Sequence, residues 1–265
     1  MSLLFIHGGM GLDHTYFRPF MDPLAERARL VYFDQRLAGR SPRDGTSPVD
    51  LACMTRDAVA VAGEACRGKV IVAGHSFGAI VALSVAASHP DLVHGFIGLS
   101  HGLSPTIGAT LASYVAERGT ESQKSAATQA FGGKLETDAG YVSAWRDLLP
   151  LYFHDFGQGD RGLFDRVQFS VVAFTEFLAY GIGRLDYRTE LPRLRMPVLF
   201  IGGESDWCER DPCGGSIGAA KLAPNGQARL IPEAGHFGFA EQPEQFRDAI
   251  NEWLDAVATG NEPEA

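Results

Sequence analysis

The sequence predicts an α/β fold, in which a mostly parallel sheet is flanked by helices. Short apolar runs alternate along the chain with segments of helical periodicity, as in successive βαβ units. Several runs, such as Val70-Ile-Val-Ala, are apolar at every position, which is typical of strands covered on both faces. The length of 265 residues is enough for one such core with an insertion.

The pattern predicts six strands and at least three helices in the core. Each predicted strand is a short run rich in β-branched or large apolar residues. The strands are placed at Leu3–Ile6, Arg29–Phe33, Val70–Ala73, Gly95–Leu99, Val198–Ile201 and Arg229–Ile231. The helices are placed at Asp50–Cys66, Phe77–Ser88, with Pro90 just beyond it, and Pro243–Val257.

From about Ser104 to Glu190 the alternation stops, and the segment is rich in helix formers and aromatic residues. It lies between two predicted strands, which indicates a mostly helical insertion folded over one edge of the sheet. The predicted organisation is therefore a core of residues 1–103 and 191–258, an insertion of residues 104–190, and a flexible tail of residues 259–265.

Composition and charge exclude several classes of function. The formal net charge of −9 disfavours nucleic acid and anionic lipid as partners. The apolar run at the N-terminus is too short for a signal or membrane segment, so we expect a cytoplasmic protein. The four cysteines lack metal-site spacing and favour free thiols, with a Cys208–Cys213 bridge as the alternative. We expect no metal and no organic cofactor, and the sequence does not specify the oligomeric state.

The clearest chemical motif is Gly74-His-Ser-Phe-Gly78, a G-x-S-x-G between a predicted strand and a predicted helix. A tight strand-to-helix turn projects the hydroxyl of Ser76 above the sheet, at the positive end of a helix dipole. The motif alone is common, but this context predicts that Ser76 is a nucleophile.

A serine nucleophile needs a base, and the base needs a carboxylate to orient it. His236 follows the last predicted strand and is the predicted base. Asp206 follows the strand Val198–Ile201 and is the predicted acid, with Glu204 and Asp211 as competitors. The order Ser76, Asp206, His236 is the order that G-x-S-x-G hydrolases show.

The oxyanion formed in acyl transfer needs backbone N–H donors. One predicted donor is the amide of Phe77, directly after the nucleophile. The other is the amide of Gly9, in the loop His7-Gly-Gly-Met-Gly11 after the first strand, where an unsubstituted backbone can approach a substrate closely.

These segments resemble the proline-iminopeptidase-like branch of the α/β-hydrolase superfamily. The loop after the first strand is similar to that family's H-G-G-P-G, with Met10 in place of proline. Asp34-Gln-Arg-Leu-Ala-Gly-Arg-Ser41 is similar to its D-Q-R-G-x-G-R-S, with Leu37 in place of glycine. The acid loop at Gly203–Cys208 and the histidine loop at Ala234–Pro243 also resemble the family, whereas His75 and Phe77 depart from its usual glycine and tryptophan.

The resemblance implies an α/β-hydrolase fold in which the insertion is a helical cap over the site. In the family, cap carboxylates bind the amino group of the substrate, which makes Glu136, Glu176 and Glu190 candidates. Glu176 is the preferred candidate because its neighbours are aromatic. We also expect Met10 and His101 to line the substrate pocket.

Three functions remain open from the sequence. The first is hydrolysis of a small amide or ester through an acyl-enzyme, with a proline-iminopeptidase-like aminopeptidase slightly favoured. The second is a carboxylesterase, lactonase or carbon–carbon bond hydrolase that uses the same triad. The third, of another class, is a non-catalytic receptor for a small molecule, although a receptor has no need of a complete triad.

Overall fold

The computed structural model describes residues 1–43, 49–159, 162–179 and 186–259. Six strands form one sheet: β1 (Ser2–Ile6), β2 (Arg29–Tyr32), β3 (Val70–His75), β4 (Val93–Leu99), β5 (Val198–Gly203) and β6 (Gly226–Ile231). Their order across the sheet is β2-β1-β3-β4-β5-β6, and every neighbouring pair is parallel. The predicted α/β fold with a parallel sheet is confirmed.

The ten α-helices found among the described residues flank the sheet or lie in the insertion. The helices outside the insertion are α1 (Leu51–Ala65), α2 (Phe77–Ser88), α8 (Gly215–Ala220), α9 (Gly238–Glu241) and α10 (Pro243–Thr259). Those between β4 and β5 are α3 (Ile107–Arg118), α4 (Glu121–Phe131), α5 (Asp138–Leu148), α6 (Phe156–Gly159) and α7 (Val171–Ala179).

Apolar side chains cover both faces of the sheet, as the continuous apolar runs predict. On one face, Leu3 and Phe5 of β1 pack in the same cluster as Ile71 of β3. On the other face, Leu4 and Val72 pack in a cluster that includes most of α2. Because β1, β3 and β5 are parallel, the loops that follow them lie at one edge of the sheet, which is where open α/β sheets bind their ligands.

The described part of the insertion is helical, with α3 to α7 and short 3₁₀ segments between β4 and β5, and it contains no strand. Thr259 belongs to α10, while residues 260–265 of the predicted tail lie outside the described residues. All four cysteines are free, so the alternative bridge between Cys208 and Cys213 is not formed. Among the described helices, none has both the length and the apolar character needed to cross a bilayer.

Candidate active site

Ser76 occupies a sharp turn between β3 and α2. Its backbone has φ 53° and ψ −119°, a conformation that costs energy in a residue with a side chain and is common at functional sites. The flanking glycines are required by close approach, because a Cβ atom on Gly74 would collide with the carbonyl of Gly78, and one on Gly78 with the carbonyl of Ile6. The turn holds the Ser76 side chain half-buried at the edge of the sheet, beside two cavities.

His236 and Asp206 form a buried pair. Nδ1 of His236 lies 3.0 Å and 3.1 Å from the two carboxylate oxygens of Asp206, and both side chains are almost fully buried. The ring of Trp207 stacks on the imidazole, with 5.3 Å between centroids and 21° between planes. Because Nδ1 faces the carboxylate, Nε2 is on the opposite edge of the ring and is free to act on another group.

The carboxyl of Asp206 is held in its ionised form. Burial raises the pKa of this carboxyl, but the neighbouring His236 imidazole and hydrogen bonds, including one from the backbone N–H of Cys208 at 3.0 Å, outweigh burial and bring the pKa below its ordinary value. Its competitors lie elsewhere: Asp211 accepts hydrogen bonds from the hydroxyls of Thr106 and Thr110, and Glu204 is exposed.

Ser76 and His236 line the same cavity, of about 110 Å³, together with Gly9 and Phe77. The hydrogen bonds found among the described residues do not include one between Oγ of Ser76 and Nε2 of His236. Catalytic hydrogen bonds of this kind are often long before substrate binds and tighten in the substrate complex. The arrangement thus brings together the three predicted triad residues, with the acid–base contact formed and the base–nucleophile contact still open.

The loop after β1 packs directly on the serine turn. A Cβ atom on Gly8 would lie 2.8 Å from Cβ of Ser76, so only glycine lets the loop approach this closely. The amide of Gly8 is already engaged, since it donates a 2.6 Å hydrogen bond to the hydroxyl of Tyr16. This leaves the amide of Gly9, where φ is +56°, as the candidate donor from this loop. The amide of Phe77 is in the first turn of α2, where N–H groups have no partner within the helix.

His7 holds the same loop in place through hydrogen bonds to Gln35. The backbone N–H of Gln35 donates to Nε2 of His7 at 2.9 Å, and the Gln35 side-chain amide donates to the His7 carbonyl at 2.6 Å. Burial lowers the pKa of His7, which is consistent with a neutral ring that accepts at Nε2. Gln35 belongs to Asp34–Ser41, one of the segments that carry the family resemblance, so this segment stabilises the loop after β1.

Tyr16 and His75 connect the loops of the site, and neither role was found from the sequence. The Tyr16 hydroxyl, which accepts from Gly8, donates to Nδ1 of His75 at 2.9 Å, and Nε2–H of His75 donates to the carbonyl of His236 at 2.9 Å. Burial lowers the pKa of His75 to about 3, so its ring is neutral and can accept and donate in this way. The chain of bonds links the Gly8 loop, the serine turn and the histidine loop.

Replacing Tyr16 with phenylalanine is expected to loosen this connection. The change leaves the buried N–H of Gly8 and Nδ1 of His75 without a hydrogen-bond partner, which costs about 1–3 kcal/mol of stability for each group. We expect the free energy of unfolding to fall by that order. We also expect kcat to fall by up to about 10²-fold, because small displacements of aligned groups are costly in catalysis. Chemical denaturation and steady-state kinetics measure both effects. Tyr114→Phe, on α3, is the control, and equal losses in the two variants would contradict the assignment.

An apolar cavity of about 680 Å³ adjoins the smaller one and shares Met10, Ser76, Phe77, Leu111, Phe131 and Trp207 with it. Met10, which the sequence predicts to line the substrate pocket, thus lines both cavities beside Ser76. Among the described residues that line the two cavities, none is a carboxylate, and the one fully charged side chain is Lys124.

The other predicted pocket residues lie elsewhere. His101 is buried and packs against Phe200, with 4.8 Å between the ring centroids. It lines another small cavity with Cys208 and Asp211. Glu176 is exposed, because the inward face of α7 is taken by Phe174 and Phe177. The structure therefore does not place His101 or Glu176 in the wall of either cavity beside Ser76, where the sequence predicts a substrate pocket. Of the other cap candidates, Glu136 is exposed and Glu190 pairs with Arg193 at 3.0 Å.

One group of side chains among the described residues has the spacing of a metal site, and it consists of Asp206, Cys208 and His236. Burial raises the pKa of the Cys208 thiol well above its ordinary value, so the thiol stays protonated and is a poor ligand. The hydrogen bond between His236 and Asp206 already accounts for the geometry of this group, which therefore fits an acid–base pair better than a metal centre.

Comparison with known proteins places this geometry among hydrolases. The family model described as "Alpha/beta hydrolase family" matches residues 3–249. A probable aminopeptidase of Bacillus subtilis is 24% identical over 277 residues, which cover 94% of this chain and 87% of that protein. A pimeloyl-[acyl-carrier protein] methyl ester esterase of Edwardsiella ictaluri is 28% identical over 258 residues, which cover 96% of this chain and 93% of that protein.

A solved structure of a related protein has a similar fold. The proline iminopeptidase-related protein of Thermus thermophilus superposes with a TM-score of 0.73 at 28% identity, covering 97% of this chain and 90% of that one. The resemblance to proline-iminopeptidase-like proteins is therefore confirmed. Because the family match spans almost the whole sheet and its flanking helices, the chain belongs to the alpha/beta hydrolase family.

Proposed function

We propose that the protein is a serine hydrolase that cleaves a carboxylic ester through an acyl-enzyme, with Ser76 as nucleophile, His236 as base and Asp206 as the orienting acid. The observation that favours an ester over the substrate of an aminopeptidase is the apolar cavity beside Ser76, whose described wall has no carboxylate. An aminopeptidase needs such a group to bind the ammonium of its substrate.

The proposed reaction has two half-reactions. Oγ of Ser76 attacks the ester carbonyl while Nε2 of His236 takes its proton, and the amides of Gly9 and Phe77 stabilise the oxyanion. The intermediate collapses, the alcohol leaves with the proton from His236, and the acyl group stays on Ser76. Water then attacks the acyl group with His236 again as base, and the carboxylic acid leaves as Ser76 regains its proton.

Electrostatics disfavour the aminopeptidase that the sequence slightly favoured. An ammonium held beside Ser76 would have no carboxylate partner among the described lining residues, and an unpaired charge in an apolar site is costly. The relatives include both a probable aminopeptidase and an ester hydrolase, so their names do not decide between the two. Lactones and carbon–carbon substrates would use the same catalytic groups, and they stay alternatives within the hydrolase class.

A matched pair of substrates tests this choice. The methyl esters of proline and of cyclopentanecarboxylic acid have nearly the same shape and differ mainly in the ring amine. We expect kcat/KM to favour the cyclopentane ester by at least about tenfold, since an unpaired buried charge costs more than that factor. Chromatographic assay of the released acids measures the ratio. Preference for the proline ester, together with release of naphthylamine from proline naphthylamide, would instead establish an aminopeptidase.

A further inference from the structure

The larger cavity is a groove between α3 and α4 that starts at Ser76. On α3, its wall includes Gly108, Ala112 and Ala116, which are four residues apart and therefore lie on one helix face. On α4, the wall includes Ala127, Thr128 and Phe131. Ile107, Leu111 and Val115 of α3 complete an apolar wall, and no described carboxylate lies in it.

The groove has a near end and a far end. Leu111 of α3 and Phe131 of α4 also line the small cavity with His236, so this part of the helix pair lies beside the reacting groups. Ala116 and Lys124 line only the larger cavity, next to the two-residue connection between α3 and α4. From Gly108 to Ala116 the wall is about 12 Å long at the rise of an α-helix. The groove is therefore elongated and leads away from Ser76.

The surface of the groove is apolar and open to water. Ala112, Ala116 and Phe131 are exposed, and Phe131 exposes 36% of its surface. Lys124, at the far end, pairs with Glu121 at 3.0 Å, which balances its charge. A linear uncharged chain would remove this apolar surface from water without burying a charge.

The position of His236 indicates which part of an ester occupies the groove. As the proposed acid, His236 must lie next to the leaving alcohol, and it lines the small cavity but not the groove. Met10 and Phe77, which belong to the segments that carry the oxyanion donors, line both cavities, so the ester carbonyl lies where the two cavities meet. The groove therefore extends from the acyl side of the carbonyl.

We propose that the groove between α3 and α4 binds a linear, uncharged acyl chain, so that the substrate is an ester of a medium- or long-chain fatty acid. This inference rests on the proposed ester hydrolysis, and it names the substrate class. Each methylene seated in the groove then contributes up to about fourfold to kcat/KM.

The test compares p-nitrophenyl acetate with p-nitrophenyl octanoate, below the concentration at which micelles form. In the wild type we expect kcat/KM to rise with chain length. Ala112→Phe fills the groove and is expected to lower kcat/KM for the octanoate by roughly tenfold or more, while that for the acetate stays within about twofold. Ala109→Phe is the matched control, because Ala109 is exposed on the same helix but does not line the groove.

Two isomeric esters then distinguish the acyl side from the alcohol side. We expect methyl nonanoate to be cleaved with a higher kcat/KM than octyl acetate, and Ala112→Phe to remove the difference. A preference for octyl acetate would overturn the assignment of the acyl chain to the groove. Chain-length independence in an enzyme active on the acetate would overturn the groove while leaving ester hydrolysis intact. A folded protein that cleaves none of these esters would overturn the proposed function itself.

Discussion

Replacing Asp206 with asparagine is expected to lower kcat for ester hydrolysis by about 10⁴-fold, with a much smaller change in KM. The carboxylate accepts the Nδ1–H of His236 and stabilises the imidazolium that forms when Ser76 gives up its proton. An asparagine has a similar shape but no charge, and its amide group can hold the ring in the wrong tautomer, in which Nε2 carries the proton and cannot act as base.

Glu204→Gln is the control for Asp206→Asn, because Glu204 lies two residues away, is exposed and is the sequence competitor for the same role. We expect its kcat to match that of the wild type. Steady-state kinetics with thermal melting separates loss of chemistry from loss of fold. A large loss in Glu204→Gln, beside an active and folded Asp206→Asn, would contradict the assignment of the acid.

The sheet could be predicted because its strands carry a local signal. Runs such as Val198–Ile201 are apolar on both faces, and the order of runs and helices leaves few topologies open. The strand ends were placed less well. β3 continues through Gly74 and His75, and β5 through Gly202 and Gly203, and these residues pair in the sheet without an apolar side chain to indicate it.

The three residues of the proposed triad could be located in the sequence for a similar reason. Each one follows a strand of the core, and each strand is visible in the sequence. The link between Tyr16 and His75 could not be predicted, because it joins residues 59 positions apart through a hydroxyl that has no motif of its own. The packing of Phe77 against Phe177 could not be predicted either. An aromatic residue at this position can line a pocket or pack in the core, and the sequence does not distinguish the two.

The helical insertion between β4 and β5 shows where prediction of single residues fails. Glu176 lies between Phe174 and Phe177 in the sequence, which made an aromatic pocket a reasonable hypothesis. On a helix, however, successive residues turn by about 100°, so the two rings face inward while the carboxylate between them faces water. Which face of α7 is buried depends on the neighbours it packs against, and no local pattern specifies them.

Replacing Ser76 with alanine is expected to produce the largest effect, a loss of about 10⁶-fold in kcat for ester hydrolysis. Without the hydroxyl no acyl-enzyme forms, and only the amides of the oxyanion site and substrate binding remain to accelerate attack by water. The fold should persist, since alanine meets the same backbone strain at φ 53° as serine does and the side chain occupies a cavity edge.

A fluorophosphonate probe makes the same test independent of any substrate. The probe phosphonylates an activated serine, so we expect one label on the wild type and none on Ser76→Ala, as measured by intact-protein mass spectrometry. Ser113→Ala, at an exposed position on α3 that does not line the groove, should be labelled like the wild type. A folded wild type that takes no label and cleaves no ester would support the receptor function instead. The half-buried hydroxyl of Ser76 shares a cavity with the His236 imidazole, and removal of its proton by such a base makes the oxygen nucleophilic enough to be labelled.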